Sequence, residues 1–182
     1  MTESLVAVLV ALVLLAGFSG CLSQDTSQRV NVTVTHVTDG DTLDVLYPDG
    51  SGDEVRLVGV DAPEVHAESD PSEFEGVSNV SCLRRWGDKA SEYLSSIVSN
   101  RSVEISTDPA FDRRGYYGRL LAYVYYNGTL VNLRLVRKGY ARVYDSDFSK
   151  KRLFLRAEKR ARRERLGLWG CAGEGPEDEN TR

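Results

Sequence analysis

The chain has 182 residues, of which 41% are apolar and 27% are charged. This balance is typical of one globular domain with a hydrophobic core, and it argues against a disordered chain. The net charge of −4 is the sum of unequal parts, because residues 21–109 carry −11 and residues 110–166 carry +11. An acidic half and a basic half suit a site that binds both a cation and a polyanion, although solvated Lys and Arg on a C-terminal helix would give the same count.

Residues 1–20 are predicted to be a signal peptide. Fourteen residues from Leu5 to Phe18 are almost wholly apolar. At about 1.5 Å per residue they are too short to span a hydrocarbon core of roughly 30 Å. Small residues and Cys21 follow, as in a prokaryotic lipobox, so Cys21 is the candidate lipid anchor and the polar residues 22–29 form a linker. An uncleaved membrane anchor is the alternative, and in both cases we expect the folded part on the extracellular face of the cell membrane or secreted.

The cysteine count agrees with export. If Cys21 is lipidated, Cys82 and Cys171 remain as a pair in an oxidising compartment, and we predict a disulfide between them. Metal binding by these two cysteines is the less favoured alternative, because zinc sites usually have four ligands at closer spacing.

The folded region begins with strands that alternate apolar and polar residues, a pattern typical of half-buried strands. Turn signals at residues 39–40 and 48–53 divide the first three strands into an antiparallel meander. Five strands are predicted in all, over residues 30–37, 42–47, 54–60, 101–107 and 119–126.

Apolar residues at helical spacing predict three helices, over residues 86–98, 130–138 and 147–166. Residues 65–84 have no period and are predicted to form a long loop. Residues 172–182 are predicted to be a disordered tail because they have almost no apolar content. Five strands and three helices favour an α+β domain over residues 30–171, a small antiparallel barrel with helices packed on it.

The stretch from Thr38 to Glu64 organises the chain. It places three acids, Asp41, Asp61 and Glu64, together with Arg56 at the ends of predicted strands. A rigid sheet can aim side chains from its strand ends at one point. We interpret that point as a site for a divalent metal and a phosphodiester, although each piece alone could be a plain turn or a surface charge.

Five motifs occur in order over nearly the whole folded region. They are DGDT at residues 39–42, RLVGVDAPE at 56–64, YGRLLAY at 117–123, LVRKG at 135–139 and ARRERLGLW at 161–169. Together they resemble the staphylococcal nuclease (thermonuclease) family. The resemblance implies a five-stranded antiparallel OB-fold barrel with three packed helices. It also implies a Ca2+-dependent nuclease that cleaves DNA and RNA and leaves 3′-phosphates.

The resemblance also implies a metal site and a catalytic base. Asp41 and Asp61 match the metal carboxylates, and Ala62 stands where the family has a threonine that contributes its backbone carbonyl to the metal. Glu64 matches the residue that positions or deprotonates the attacking water. Calcium prefers several oxygen ligands, which two carboxylates, carbonyls, waters and a substrate phosphate can supply.

The implied substrate site lies further along the chain. Arg56 and Arg119 match the pair that grips the scissile phosphate, where guanidinium forks suit a dianionic transition state better than ammonium groups. Tyr117 matches a nucleotide-contacting tyrosine, and Tyr144 is a candidate for a second, base-stacking one. Tyr116 stands where relatives often have lysine.

Two hypotheses follow from these residues. The first is an exported, membrane-tethered, Ca2+-dependent nuclease, expected to be a monomer, in which Glu64 activates water and the leaving-group acid is Arg119 or a water. The second is a catalytically silent OB-fold module that binds nucleic acid or protein. Silent modules typically lose the acids and arginines, so the presence of all of them here favours the enzyme.

Overall fold

The computed structural model describes residues 28–65, 69–110 and 112–173. The predicted signal peptide, Cys21, residues 22–27 of the predicted linker and the tail from residue 174 onward lie outside the described residues. Among the helices that are described, none combines the length and the apolar character needed to cross a membrane.

A closed β-barrel is the centre of the fold. The strands of the described residues are β1 (Val30–Val37), β2 (Thr42–Leu46), β3 (Gly52–Leu57), β4 (Ser102–Ser106), β5 (Leu120–Tyr126) and the two-residue β6 (Thr129–Leu130). They pair in the order β3-β2-β1-β4-β5-β6, and β3 also pairs with β5 and so closes the barrel. The fold is therefore the expected α+β barrel, with β6 as a short hairpin addition to β5.

The prediction of a purely antiparallel barrel is wrong at the closing seam. Strands β3 and β5 pair in parallel, with Val55 opposite Leu120 and Leu57 opposite Ala122. Each of the other neighbours in the barrel is antiparallel, so direction alternates from β3 through β2, β1 and β4 to β5. Five alternating strands begin and end in the same direction, and a closed barrel with an odd number of strands must contain a parallel pair.

Three α-helices pack on the barrel within the described residues: α1 (Val80–Val98), α2 (Val131–Lys138) and α3 (Lys151–Arg163). Helix α1 begins six residues earlier than predicted, so the long loop predicted for 65–84 ends at Asn79, and a short 3-10 turn (Pro71–Glu73) interrupts it. The side chain of Asn79 caps α1 by accepting a hydrogen bond of 2.8 Å from the Cys82 amide.

The other two helices are fixed at their ends. Gly139 ends α2 with φ of 74°, and a Cβ there would lie 2.1 Å from the Leu166 carbonyl oxygen, so only glycine fits between the two chain segments. Helix α3 begins at Lys151 rather than at the predicted residue 147. The backbone amide and hydroxyl of Ser149 are bound instead to the buried carboxylate of Asp108, at 2.7 and 2.6 Å.

Asn132 links α2 to the closing seam of the barrel. Its side chain is fully buried, and its amide nitrogen donates to the carbonyls of Val58 and Ala122 at 3.0 and 3.1 Å. Its carbonyl oxygen accepts a hydrogen bond of 2.8 Å from the Val124 amide. One side chain thus satisfies backbone groups of both strands where the β3–β5 ladder ends.

Cys82 and Cys171 form a disulfide, the pair that the cysteine count predicts, with their Cα atoms 6.3 Å apart. The bond ties the first turn of α1 to a 3-10 turn (Gly167–Cys171) that follows α3. Around it lies a second, smaller core of buried residues, namely Phe74, Val77, Leu83, Ala161, Leu168 and Trp169. This core joins the segment before α1, which includes Phe74 and Val77, to the C-terminal end of the domain.

Removing the disulfide is expected to lower the free energy of unfolding by about 4 kcal/mol, because the bond closes a loop with a sequence separation of 89 residues. We would compare the Cys82→Ala/Cys171→Ala double variant with the oxidised protein by urea denaturation, and add reduced wild type as a control. Coincident unfolding curves for the oxidised protein and the double variant would contradict this expectation.

Candidate active site

The first acidic turn is shaped by close packing. The Asp41 amide donates to the Asp39 carboxylate at 3.0 Å, which folds the turn back on itself. A Cβ on Gly40 would lie 2.5 Å from the Cβ of Ala62 and 2.7 Å from that of Ala90, so a side chain at this position has no room. The turn therefore presses against α1 and buries Asp41, which is 2% exposed at the start of β2.

Two buried carboxylates meet at one guanidinium. Arg56 forms an ion pair with Asp41 Oδ1, and its Nη2 lies 2.8 Å from Asp61 Oδ1. Asp41 Oδ2 accepts a hydrogen bond of 2.8 Å from the Ala62 amide, and Asp61 is 8% exposed. Asp41, Arg56 and Asp61 thus come from three separate parts of the predicted stretch and converge on one point.

Asp41 and Asp61 are the carboxylates that the resemblance implies as cation ligands. Both contact Arg56, and Asp61 also pairs with Arg142, so two arginines face the two carboxylates. No cluster of three or more His, Cys, Asp or Glu side chains suited to a metal ion occurs in the described ranges. A cation here would therefore need further oxygen ligands beyond the two carboxylates. Ala62 contacts Asp41 through its amide, whereas the resemblance implies that its backbone carbonyl is a metal ligand.

The parallel seam carries Arg119 to the same site. Arg56 on β3 lies opposite Leu121 on β5, and Arg119 immediately precedes β5. The Nη1 atom of Arg119 donates to the hydroxyl of Thr42, next to Asp41, at 3.4 Å. Both predicted phosphate arginines therefore lie at the same end of the barrel.

A cavity of about 570 Å³ opens beside the two arginines. Arg56, Arg119, Tyr116, Tyr117 and Tyr144 line it together with the end of β3, the residues that follow β3 and the loop before β5. The tyrosines are 97%, 79% and 48% exposed respectively, and the Arg119 guanidinium lies 5.6 Å from the centre of the Tyr117 ring. Exposed aromatic faces beside guanidinium groups are suited to bases and phosphates of a single strand.

The loop that carries Tyr116 and Tyr117 is fixed at two points. Arg114 makes a two-pronged contact with the Asp53 carboxylate at 3.0 and 2.8 Å, and it donates to the Gly118 carbonyl at 2.7 Å. At the start of the loop, Asp108 accepts hydrogen bonds from Tyr123 and Ser149. Burial raises the pKa of Asp108, but these hydrogen bonds outweigh it and hold the pKa below its usual range.

Glu64 lies close enough to Asp39, Asp61 and Arg56 for their charges to act on its carboxyl group. Its backbone approaches α1 closely, since a Cβ on Gly87 would lie 2.7 Å from the Pro63 carbonyl oxygen. Its amide donates to the buried hydroxyl of Ser69 at 2.8 Å. Removal of part of the carboxyl group from water and the nearby charge of Asp39 raise the pKa of Glu64, and Arg56 opposes this shift.

Sequence reasoning missed Arg142. Its Nη2 lies 2.6 Å from Asp61 Oδ2, on the side of the carboxylate away from Arg56. In the sequence it is one of many cations in the basic half, and no local motif distinguishes it. Its proximity to Asp61 becomes visible only when the segment after α2 is seen to pair with the segment after β3.

Comparison with known proteins gives a consistent family. A family model described as "Staphylococcal nuclease homologue" matches residues 54–171. An uncharacterized protein, MJ1439, of Methanocaldococcus jannaschii is 36% identical over 156 residues, which cover 80% of this chain and 74% of that protein. Endonuclease YncB of Bacillus subtilis is 34% identical, with 83% and 67% covered. Thermonuclease of Staphylococcus intermedius is 30% identical, with 75% and 74% covered. The chain therefore belongs to the staphylococcal nuclease family.

Proposed function

We propose that this protein is an endonuclease that hydrolyses phosphodiester bonds of DNA and RNA with Ca2+ as its cofactor. Membership of the family and the relatives named endonuclease and thermonuclease support a nuclease. The observation that carries the proposal is the contact of Arg56 with both Asp41 and Asp61 beside a cavity that Arg119 also lines.

Arg56 and Arg119 are proposed to bind the scissile phosphate. Both line the cavity, and both are held by residues at the start of β2. Arg56 contacts Asp41, and Arg119 contacts Thr42. Fixed guanidinium groups stabilise the negative charge that develops on phosphate oxygens during attack on phosphorus. Removal of one such fixed donor typically lowers the rate by about 10²- to 10³-fold.

Asp41 and Asp61 are the proposed calcium ligands, with the backbone carbonyl of Ala62. The fit rests on the two buried carboxylates, which converge on one point, where a bound ion would share their oxygens with Arg56 and, at Asp61, with Arg142. Waters and a substrate phosphate would complete the six to eight oxygen ligands that calcium prefers. When bound, the ion supplies positive charge that stabilises the phosphate oxygens in the transition state.

Glu64 is the proposed general base. It accepts a proton from the water that attacks phosphorus. The bond from phosphorus to the 5′-oxygen breaks, and this oxygen takes a proton from Arg119 or from a water, which leaves a 3′-phosphate and a 5′-hydroxyl. Its raised pKa makes its carboxylate a stronger base than an ordinary glutamate. Tyr117 and Tyr144 are proposed to stack on the bases that flank the cleaved bond.

Chelation of calcium is expected to abolish nuclease activity. The purified protein, residues 22–182, should degrade single-stranded DNA in the presence of Ca2+, stop when EGTA is added and recover when excess Ca2+ is returned. Gel analysis of end-labelled substrate would also show whether the products carry 3′-phosphates. Full activity in EGTA would contradict the proposed cofactor, and lack of activity in Ca2+ would contradict the nuclease itself.

Substitution of the base is expected to slow the reaction without unfolding the protein. Glu64→Gln should lower kcat by about 10²- to 10⁴-fold, the typical contribution of a general base. Glu104→Gln is the matched control. Glu104 is on β4, does not line the cavity, and forms an ion pair of 3.2 Å with Arg29. Equal kcat values for Glu64→Gln and wild type, measured below the unfolding temperature of both, would remove the assignment.

We further propose that the protein is exported and held at the outer face of the membrane by a lipid on Cys21. Support comes from sequence alone, namely the apolar residues 5–18, the following small residues and Cys21. An extracellular location also agrees with the disulfide between Cys82 and Cys171.

Cell fractionation tests this proposal. Wild-type protein should remain with the membranes and be accessible to protease added to intact cells, and Cys21→Ala should lose its membrane attachment. Retention of Cys21→Ala in the membrane fraction would favour an uncleaved anchor over a lipid. Protection of the wild-type protein from external protease would contradict export.

A further inference from the structure

Arg142 is locked to Asp61 through the backbone. The Asp61 amide donates to the Arg142 carbonyl at 3.0 Å, and the Arg142 amide donates to the Asp61 carbonyl at 2.9 Å. These two hydrogen bonds form an isolated antiparallel bridge between the segment after β3 and the segment after α2. The two side chains therefore leave the bridge from neighbouring, fixed Cα positions.

The side chains complete the contact. Arg142 Nη2 lies 2.6 Å from Asp61 Oδ2, whereas Arg56 Nη2 lies 2.8 Å from Asp61 Oδ1. The side chains of Arg142 and Asp61 are 15% and 12% exposed, so water has little access to the pair. Each oxygen of this carboxylate thus has its own arginine, and its plane is fixed by both.

Arg142 also contacts two residues other than Asp61, namely Glu73 and Phe74. Its Nη2 lies 3.6 Å from Glu73, and its guanidinium lies 5.5 Å from the centre of the buried Phe74 ring. Both residues belong to the segment between Glu64 and α1. Arg142 is absent from the residues that line the cavity, in contrast to Arg56 and Arg119.

We propose that Arg142 is a positioning residue, which orients the Asp61 carboxylate toward the point that Asp61 shares with Asp41. This inference rests on the proposed function and concerns Asp61 as a calcium ligand. A cation beside Asp61 would share Oδ1 with Arg56, and the direction of this oxygen is set by the contact of Oδ2 with Arg142. Groups that orient a metal ligand in this way typically change metal affinity or activity by about 10- to 100-fold when they are removed.

Calcium affinity separates this role from a simple charge effect. Arg142 is a cation near the proposed site, so its removal would strengthen Ca2+ binding if only its charge mattered. Loss of orientation has the opposite effect, because Arg56 alone would then hold the Asp61 carboxylate and its plane would no longer be fixed from both sides. The direction of the change in affinity is therefore informative, in addition to its size.

The test uses calorimetric titration of the purified protein with CaCl2, without nucleic acid, together with kcat on single-stranded DNA at saturating Ca2+. Arg142→Ala is expected to bind Ca2+ about 10- to 100-fold more weakly and to have a kcat reduced by a similar factor. Arg142→Lys retains the positive charge but lacks the planar guanidinium group. It should therefore recover part of the lost Ca2+ affinity and part of the lost kcat. The lysine variant also keeps the test decisive if the alanine variant does not fold.

Arg162→Ala is the matched control. Arg162 is also half-buried, and it contacts Glu75 at 2.9 Å, Glu158 at 3.4 Å and the Trp169 ring at 4.0 Å. It therefore holds the same segment to α3 with no contact to Asp61. We expect Arg162→Ala to unfold at a lower temperature while its Ca2+ affinity and kcat stay near those of wild type.

Unchanged or tighter Ca2+ binding in Arg142→Ala, with kcat near that of wild type, would overturn the positioning role. Equal losses of Ca2+ affinity in Arg142→Ala and Arg162→Ala would overturn it as well, because the effect would then come from the segment and not from the contact with Asp61. A wild-type protein that neither binds Ca2+ nor cleaves DNA would instead refute the proposed function.

Discussion

The site depends on the way the barrel closes. Five strands that alternate in direction can close only through a parallel pair, and here that pair is β3 with β5. Arg56 belongs to the acidic half of the sequence and Arg119 to the basic half, yet this seam places both at one end of the barrel. Asn132 satisfies the backbone groups of Val58 and Ala122 just past the ladder, so the seam is fixed where the site begins.

Buried charge at this seam constrains the surrounding residues. Removing one partner of a buried ion pair strands the other charge and typically costs about 3–5 kcal/mol. Asp41 and Asp61 are therefore stable in place only while donors surround them: the guanidinium of Arg56 for both, the Ala62 amide for one and Arg142 for the other. The same arrangement keeps the two carboxylates convergent, and the proposed function uses this preorganisation for electrostatic catalysis.

The sequence predicts the elements of this fold better than their junctions. Strand alternation predicts β1 to β5 to within three residues at each end, but the predicted antiparallel barrel missed the parallel pair that an odd count of alternating strands requires. The first turns of α1 were missed because Cys82 and Leu83 are buried by a second core that includes Trp169, and local periodicity carries no signal for contacts between distant residues. Arg142 was missed for the same reason, since its partner is 81 positions away and its neighbours form no motif.

The sequence alone indicates no role for the segment that precedes α1, yet this segment contacts Glu64 and Arg142. Ser69 receives the Glu64 amide, and Glu73 with Phe74 lies behind Arg142. Phe74 also belongs to the core around the disulfide, so the segment connects the active site to the C-terminal end of the domain. Packing of Phe74 in that core holds one end of the segment, so Glu73 and Phe74 reach Arg142 from a part of the chain with a fixed backbone.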